Sequence, residues 1–252
     1  MDLPLLDGDY ESVGILEPAE IYHSRDLPET AVLCFFPEVV QQLARRDDAK
    51  QILELRSEIG PNPVWEIEHN GTRLAVMQPG VGAPLAVAFL EEAIAFGLRR
   101  MIACGAAGAL VPELALGHAV IVDSAVRDEG TSYHYLPPAR VIEADPHATA
   151  TLLKTLTEQN VAHLVGRTWT TDAIYRETRK KARQRIEEGC VVVEMEASAL
   201  FAVAQYRDVV MGELLLAGDS LAGDTWDHRG WTTAHSAREK LFWLAADAAV
   251  AL

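Results

Sequence analysis

The segment VVVEMEASALFAVA (191–204) decides the fold. Its three leading valines have the composition of a buried strand, and its Ala-rich apolar tail that of a buried helix. The change falls at Glu194-Met195-Glu196, so two carboxylates stand at a strand-to-helix turn inside a segment that is otherwise core. Strands that feed helices through tight turns build α/β layers, and open sheets of that class bind ligands beyond the carboxyl ends of their strands. The two acids admit two readings. Both can be first-turn acids favoured by the helix dipole. Alternatively one caps or pairs structurally while the other faces the crevice and takes both hydroxyls of a ribose on its two oxygens.

The same alternation extends in both directions. Residues 31–36 (AVLCFF) predict a buried strand followed by a helix from Glu38 to about Arg46. VWEIEH (64–69) and TRLAVMQ (72–78) flank Asn70-Gly71, a strong hairpin signal. The loop QPGVGAP (78–84) opens a helix, LAVAFLEEAIAFG; then come a strand, MIAC (101–104), a second Gly-rich loop, GAAGAL (105–110), and a strand, HAVIVDSAV (118–126). Residues 150–159 and a highly charged 176–188 predict helices, 209–219 a buried strand, and the tail from about Ser236 an amphipathic helix. A hairpin followed by crossovers predicts a mixed sheet in one domain over residues 1–252, with residues 1 to about 30 as an N-terminal extension.

The chain has 252 residues, 49% apolar and 23% charged, with a formal net charge of −15. Such acidity makes nucleic acid a poor partner, because that binding rests on Lys and Arg neutralising phosphates. The N-terminus has no basic region followed by an apolar one, and no apolar run is long enough to span a bilayer. Cys34, Cys104 and Cys190 stand in apolar surroundings without a metal-ligand pattern, so buried reduced thiols, a cytoplasmic location and no metal site are expected.

The strand ends carry the candidate chemistry. They deliver Glu38 after the first strand, Gly80-Val81-Gly82 after the hairpin, Gly105 to Gly108, then Arg127-Asp128-Glu129, Met195-Glu196, and Asp219-Ser220. Gly-rich turns cradle anions with backbone N–H groups, and they also simply make tight turns; neither loop here matches the dinucleotide or P-loop pattern.

In chain order, GVGAPLAVAFLEE, IACGAAGAL, TWTTDAIYRET, VVVEMEASALFAVA and LLLAGDS resemble the nucleoside phosphorylase superfamily, which holds purine nucleoside and uridine phosphorylases and hydrolytic methylthioadenosine/S-adenosylhomocysteine nucleosidases. The resemblance runs from about residue 31 to 250. It implies a three-layer α/β/α fold with a central mixed, partly barrel-like sheet. It implies that Met195 and Glu196 bind the ribose, that Asp219 is the acid facing the base, and that Ala173, Ile174 and Tyr175 line the base pocket. Glu194 is the second acid of the sugar-binding segment, and Gly82, Gly105 and Ala106 stand on the phosphate or water side. His134 or Arg56 would reach a neighbouring subunit's site in a homo-oligomer, whether dimer, trimer or hexamer. No cofactor is implied, inorganic phosphate being the co-substrate of a phosphorolytic member.

The chemistry suits these residue types. Breaking an N-glycosidic bond places negative charge on the base, and a carboxylic acid that protonates it contributes typically ~10²–10⁴ in rate. Asp219 needs a raised pKa for that role, which burial can supply. The sequence also departs from the phosphorolytic pattern. Phe36-Pro37-Glu38 stands where a Gly-Asp-Pro-x-Arg segment is expected, Ala103 replaces an Arg, and Ala106 replaces a hydroxyl residue. Hydrolytic members use a Glu after the first strand to activate water, and Glu38 stands close to that position. Against hydrolysis, Arg127 with Thr131 and Ser132, or Arg56, could rebuild an anion site. A nucleoside phosphorylase favouring purines, a nucleosidase and a non-catalytic nucleoside sensor are therefore the three readings. Uridine-specific members use a Gln and Arg pair in the loop that here reads TWTTDAIYRET, where Arg176 is present and the Gln is not.

Overall fold

Strand β1 (Thr30–Cys34) is fully apolar after Thr30 and buried along its whole length, because neighbours cover both its edges and both its faces. The structure is a computed structural model that describes residues 3–11 and 13–252; Met1, Asp2 and Ser12 lie outside the described residues. Before β1, the short helix α1 (Pro18–Ile21) lies against α3 (Ala83–Phe96), and Tyr22 packs on Phe96 with ring centroids 5.0 Å apart. After β1 come α2 (Pro37–Leu43), β2 (Lys50–Ser57), β3 (Gly60–His69), β4 (Thr72–Met77) and α3. The β3–β4 hairpin turns at Asn70 and Gly71, both with positive φ, as its Asn-Gly sequence requires.

The second half comprises β5 (Arg100–Ala109), β6 (Ala119–Asp128), β7 (Val141–Glu143), α4 (Pro146–Glu158), β8 (His163–Thr171), α5 (Arg179–Glu187), β9 (Cys190–Glu194), α6 (Ala197–Tyr206), β10 (Val210–Ser220) and α7 (His235–Ala251). The ten strands of the described residues form one mixed sheet. Strands β2, β3, β4, β1 and β5 are consecutive neighbours, while β5, β10, β6, β8 and β9 close on themselves because β5 pairs with both β10 and β9. The result is an open sheet continuous with a five-stranded barrel. Helices cover both sides. One core joins α3 and α6 to one face through Phe89, Leu90, Leu200 and Phe201; the other joins α4 and α7 to the opposite face through Leu152, Leu156, Leu241 and Phe242. This is the expected three-layer α/β/α arrangement with a partly barrel-like mixed sheet.

The structure departs from the local reading at GAAGAL, at strands β2, β7 and β8, and at the start of α4. GAAGAL is not a loop: β5 runs through it to Ala109. Its small residues reflect close approach, since a Cβ on Gly108 would stand 2.7 Å from Leu221 and 3.0 Å from Val193, and one on Gly105 would stand 3.1 Å from the Phe35 ring. Strands β2 and β8 are additional to the sequence reading, because LELRS and HLVGRTWTT mix polar with apolar residues, and in β8 the polar Thr168, Thr170 and Thr171 are themselves buried. Strand β7 is only three residues long. Helix α4 begins earlier than expected, at Pro146, with the Asp145 carboxylate accepting from the Ala148 N–H at 2.9 Å.

Strand β5 creates the crevice. It pairs with β1 as far as Cys104 and with β9 only from Gly108 onward. Between those points its edge has no strand partner, and Gly105, Ala106 and Ala107 line an opening between the diverging ends of β1 and β9. A change of neighbour at the carboxyl end of a strand is where α/β sheets bind ligands.

Candidate active site

The opening leads into a cavity of about 400 Å³. The end of β1 contributes Phe35, Phe36 and Pro37, β10 contributes Glu213, Leu215 and Asp219, and the β9–α6 turn contributes Glu194, Met195 and Glu196. Val81, Ile174, Glu177, Trp231 and Arg238 complete its walls.

The two acids of the opening segment separate into different tasks. Glu194 is buried at the end of β9, and its Oε2 accepts from the N–H groups of Glu196 (2.6 Å) and Ala197 (2.7 Å), satisfying the first turn of α6. Its Oε1 accepts from Thr170 (2.6 Å) and Thr168 (3.2 Å) on β8. Burial raises its carboxyl, against four donors that all favour the ionised form. Glu196 points across the turn instead. Its Oε1 accepts from the Gly82 N–H at the start of α3 and its Oε2 from the Met195 N–H at 3.3 Å. Burial, and then the charge of Glu194, push Glu196 up to about 8. A carboxyl raised this far can both give and accept a hydrogen bond near neutral pH.

Asp219 stands at the end of β10 on the same cavity, half-buried, with the Trp226 indole N–H donating to its Oδ2 at 2.6 Å. The Trp-rich segment TWDHRGWTTAH (225–235) folds beside Asp219: Ser220 and Asp227 exchange backbone bonds, and Trp231 forms part of the wall. Glu177, just beyond the 3₁₀ turn Ile174–Arg176, also lines the cavity. Burial, and then the charge of Asp219, push Glu177 up to about 7.

Several expected site residues stand elsewhere. Ile174 lines the cavity, but Ala173 is exposed and the Tyr175 side chain is 96% exposed, because the turn directs them outward. Gly82 is beside the cavity, yet its amide is taken up by Glu196 rather than free for an anion. Gly105 and Ala106 line the cavity as strand residues, not as an anion-cradling loop. Arg127 does not rebuild an anion site. It is buried, donates to Ser132 Oγ (2.9 Å) and to the carbonyls of Pro137 (2.8 Å) and Leu136 (3.2 Å), and stacks on Tyr133. It clamps the 127–138 segment. Arg56 is 78% exposed on β2 and pairs with Glu54 at 2.6 Å. His134 is exposed and borders a separate shallow pocket with Pro84 and Asp172.

Glu38 is not among the residues that line the cavity. It lies at the start of α2 and accepts from Arg238 Nη1 at 2.7 Å, with His235 Nδ1 at 3.7 Å. Burial alone would raise its carboxyl, but the Arg238 hydrogen bond and the charges of Arg238 and His235 outweigh burial and hold it below the ordinary range. A carboxylate so held is a poor proton acceptor.

Three wall residues escape sequence reasoning: Glu177, Glu213 and Arg238. Glu177 lies within the TWTTDAIYRET motif, but nothing local shows that it turns inward. Glu213 carries a readable signal, being a lone acid in the apolar strand VMGELLLAG. Arg238 has none. It lies on a helix that looks amphipathic, yet its guanidinium is buried between the rings of Phe36 (4.9 Å) and Trp231 (5.2 Å).

Comparison with known proteins agrees with this architecture. A guanosine phosphorylase from Halorubrum lacusprofundi is 25% identical over 217 residues, covering 84% of this chain and 89% of that protein. A uridine phosphorylase from Treponema pallidum is 31% identical over 156 residues, covering 58% and 60%. The crystal structure of purine nucleoside phosphorylase from Toxoplasma gondii in complex with immucillin-H superposes with a TM-score of 0.76 at 21% identity, covering 89% of this chain and 91% of that one. The family profile described as Phosphorylase superfamily matches residues 29–247, from the first strand of the sheet into the last helix, and the chain belongs to that superfamily.

Proposed function

We propose that the chain cleaves the N-glycosidic bond of a nucleoside in the cavity between β1, β9 and β10. The observation that carries this reading is that Glu196 and Asp219, from separate elements, line one cavity of nucleoside size. Glu196 and Met195 take the sugar hydroxyls, the Glu196 carboxyl exchanging its bond to Gly82 for bonds to the ligand. Asp219 meets the base and gives it a proton as the C1′–N bond breaks and the electron pair leaves with the base. Trp226 holds Asp219 in place, and Phe35, Phe36 and Val81 give the cavity apolar walls.

Glu177 supports a purine base. Its carboxyl titrates near neutrality beside Asp219, so the base end of the cavity holds two carboxyl groups that can pair with the ring N–H and exocyclic groups of a purine.

Phosphate as acceptor is supported by the relatives named phosphorylases. Water as acceptor is supported by the cavity itself: among the described residues that line it, the acids are Glu177, Glu194, Glu196, Glu213 and Asp219, while the one cation, Arg238, is paired with Glu38.

The test is a panel of purine and pyrimidine nucleosides incubated with and without phosphate, with free base measured by chromatography. Base release from at least one purine nucleoside is expected. Binding without release from any nucleoside would replace the enzyme by a sensor.

A further inference from the structure

Glu213 has no place in the chemistry described so far. It is 1% exposed in the middle of β10, on the face that also carries Leu215 and opposite the one that sends Leu214 and Leu216 toward α7. Its Oε2 is buried without a hydrogen-bond partner among the described residues, and the side chain lines the cavity. A carboxyl buried in this way costs stability unless something binds it. Burial, and then the charges of Glu194 and Glu196, push its pKa well above the ordinary carboxylate range.

Its neighbour on β5 is Ala103, the register partner of Glu213. The side chain across the pairing is thus a small apolar one that offers the carboxyl no partner. A phosphate dianion entering here would approach the side chains of Glu213, Glu194 and Glu196. The nearest guanidinium in the wall, Arg238, already serves Glu38. A buried dianion would find no unpaired countercharge in these walls and would lose its hydration uncompensated, whereas a neutral oxygen with an O–H meets a hydrogen-bond partner in the carboxyl of Glu213.

We propose that Glu213 determines the acceptor specificity of the cavity, its carboxyl holding a water molecule and excluding inorganic phosphate. This rests on the reading of the cavity as a site of N-glycosidic cleavage. The reaction is then a hydrolysis: the water oxygen bonds to C1′, the C1′–N bond breaks, the electron pair stays with the base nitrogen, and the water's two hydrogens end on the new C1′ hydroxyl and, through Asp219, on the base. Glu213 acts on the acceptor and not on the base, so its loss leaves nucleoside affinity in place.

The experiment compares the wild-type chain with Glu213→Gln and Glu213→Ala, using the nucleoside that the panel shows to be cleaved and inorganic phosphate as the anion probe. Base release is followed with and without phosphate, and the thermal midpoint is measured over a phosphate titration. Wild-type release is expected to be independent of phosphate and to yield free pentose, and the wild-type midpoint to be unmoved by phosphate. Glu213→Ala is expected to lose about tenfold or more in phosphate-free kcat, the loss of a hydrogen bond to the acceptor, with KM changed by less than about twofold. Its midpoint is expected to rise with phosphate, and Glu213→Gln, which keeps a polar group, to fall between the two. Phosphate-dependent wild-type release yielding pentose 1-phosphate would overturn the proposal, as would a wild-type midpoint that rises with phosphate as much as the variant's does. If none of the proteins releases base, the cleavage reading has failed instead, and the phosphate titration alone decides whether Glu213 excludes the anion.

Discussion

Glu194 and Glu196 differ in what surrounds them rather than in what they are. Glu194 accepts four hydrogen bonds from its own turn and from β8, whereas Glu196 accepts two backbone N–H bonds at the rim of the cavity. Only the second can exchange its partners for a ligand without unmaking a helix end. Glu196→Gln is therefore expected to reduce the preference for ribosides over 2′-deoxyribosides, read as a ratio of kcat/KM values; an unchanged ratio would remove Glu196 from sugar recognition. Asp219→Asn is expected to lower kcat by ~10² or more with little change in nucleoside affinity, because the amide keeps the shape but cannot give up a proton. Wild-type single-turnover rates of base release measure the difference. Glu177 sits near its midpoint at neutral pH, so its replacement by Gln is expected to remove a titration near 7 from the pH profile of kcat/KM. A profile unchanged by the substitution would place that titration elsewhere.

At the scale of elements, the β9–α6 turn depends on Glu194. Glu194→Ala leaves the Thr170 hydroxyl and the Glu196 and Ala197 amides at the start of α6 without their acceptor, and a loss of roughly 2–4 kcal/mol in urea unfolding is expected from such orphaned buried groups. A loss below about 0.5 kcal/mol would mean that water replaces the carboxylate, as at an exposed cap.

The β3–β4 hairpin and helices α3, α6 and α7 were legible in the sequence, because Asn-Gly turns and long periodic apolar runs specify local structure directly. Strand β8 was not. Its inward groups, Thr168 and Thr170, are polar because they serve Glu194 and not because they face solvent. The Gly-Ala stretch of β5 looked like a loop because small residues at a close crossing are indistinguishable, by composition, from residues chosen for turns.

In the whole molecule, Glu196, Glu177 and Glu213 all bind protons more tightly folded than unfolded. A raised carboxyl pKa means that the folded state holds more protons, so stability is greatest below the unfolded value of about 4.5 and declines as pH rises through the folded values. For Glu177 and Glu196 the decline spans roughly pH 4.5 to 8. Glu38 acts in the opposite sense: its lowered pKa gives stability present above about 4.5 and lost on acidification below it. Replacing Glu213 by the similarly sized Leu removes the deepest of the raised groups. It is expected to stabilise the fold by ~1–3 kcal/mol at neutral pH, read from the urea midpoint at constant m, with a smaller gain at pH 5. A destabilised Glu213→Leu variant would show that the carboxyl has a structural partner.

The sequence by itself determined the alternation of strands and helices, the hairpin, and the acids at the ends of β9 and β10, because these follow from local periodicity and turn chemistry. Only the tertiary structure decided which side chains share a cavity. It turned Arg127 into a clamp, tied Glu38 to Arg238, sent Tyr175 outward and brought Glu177 and Glu213 inward. The reason is that a side chain's neighbours across a sheet are fixed by strand order and register, which join residues more than a hundred positions apart, as Ala103 and Glu213 are joined.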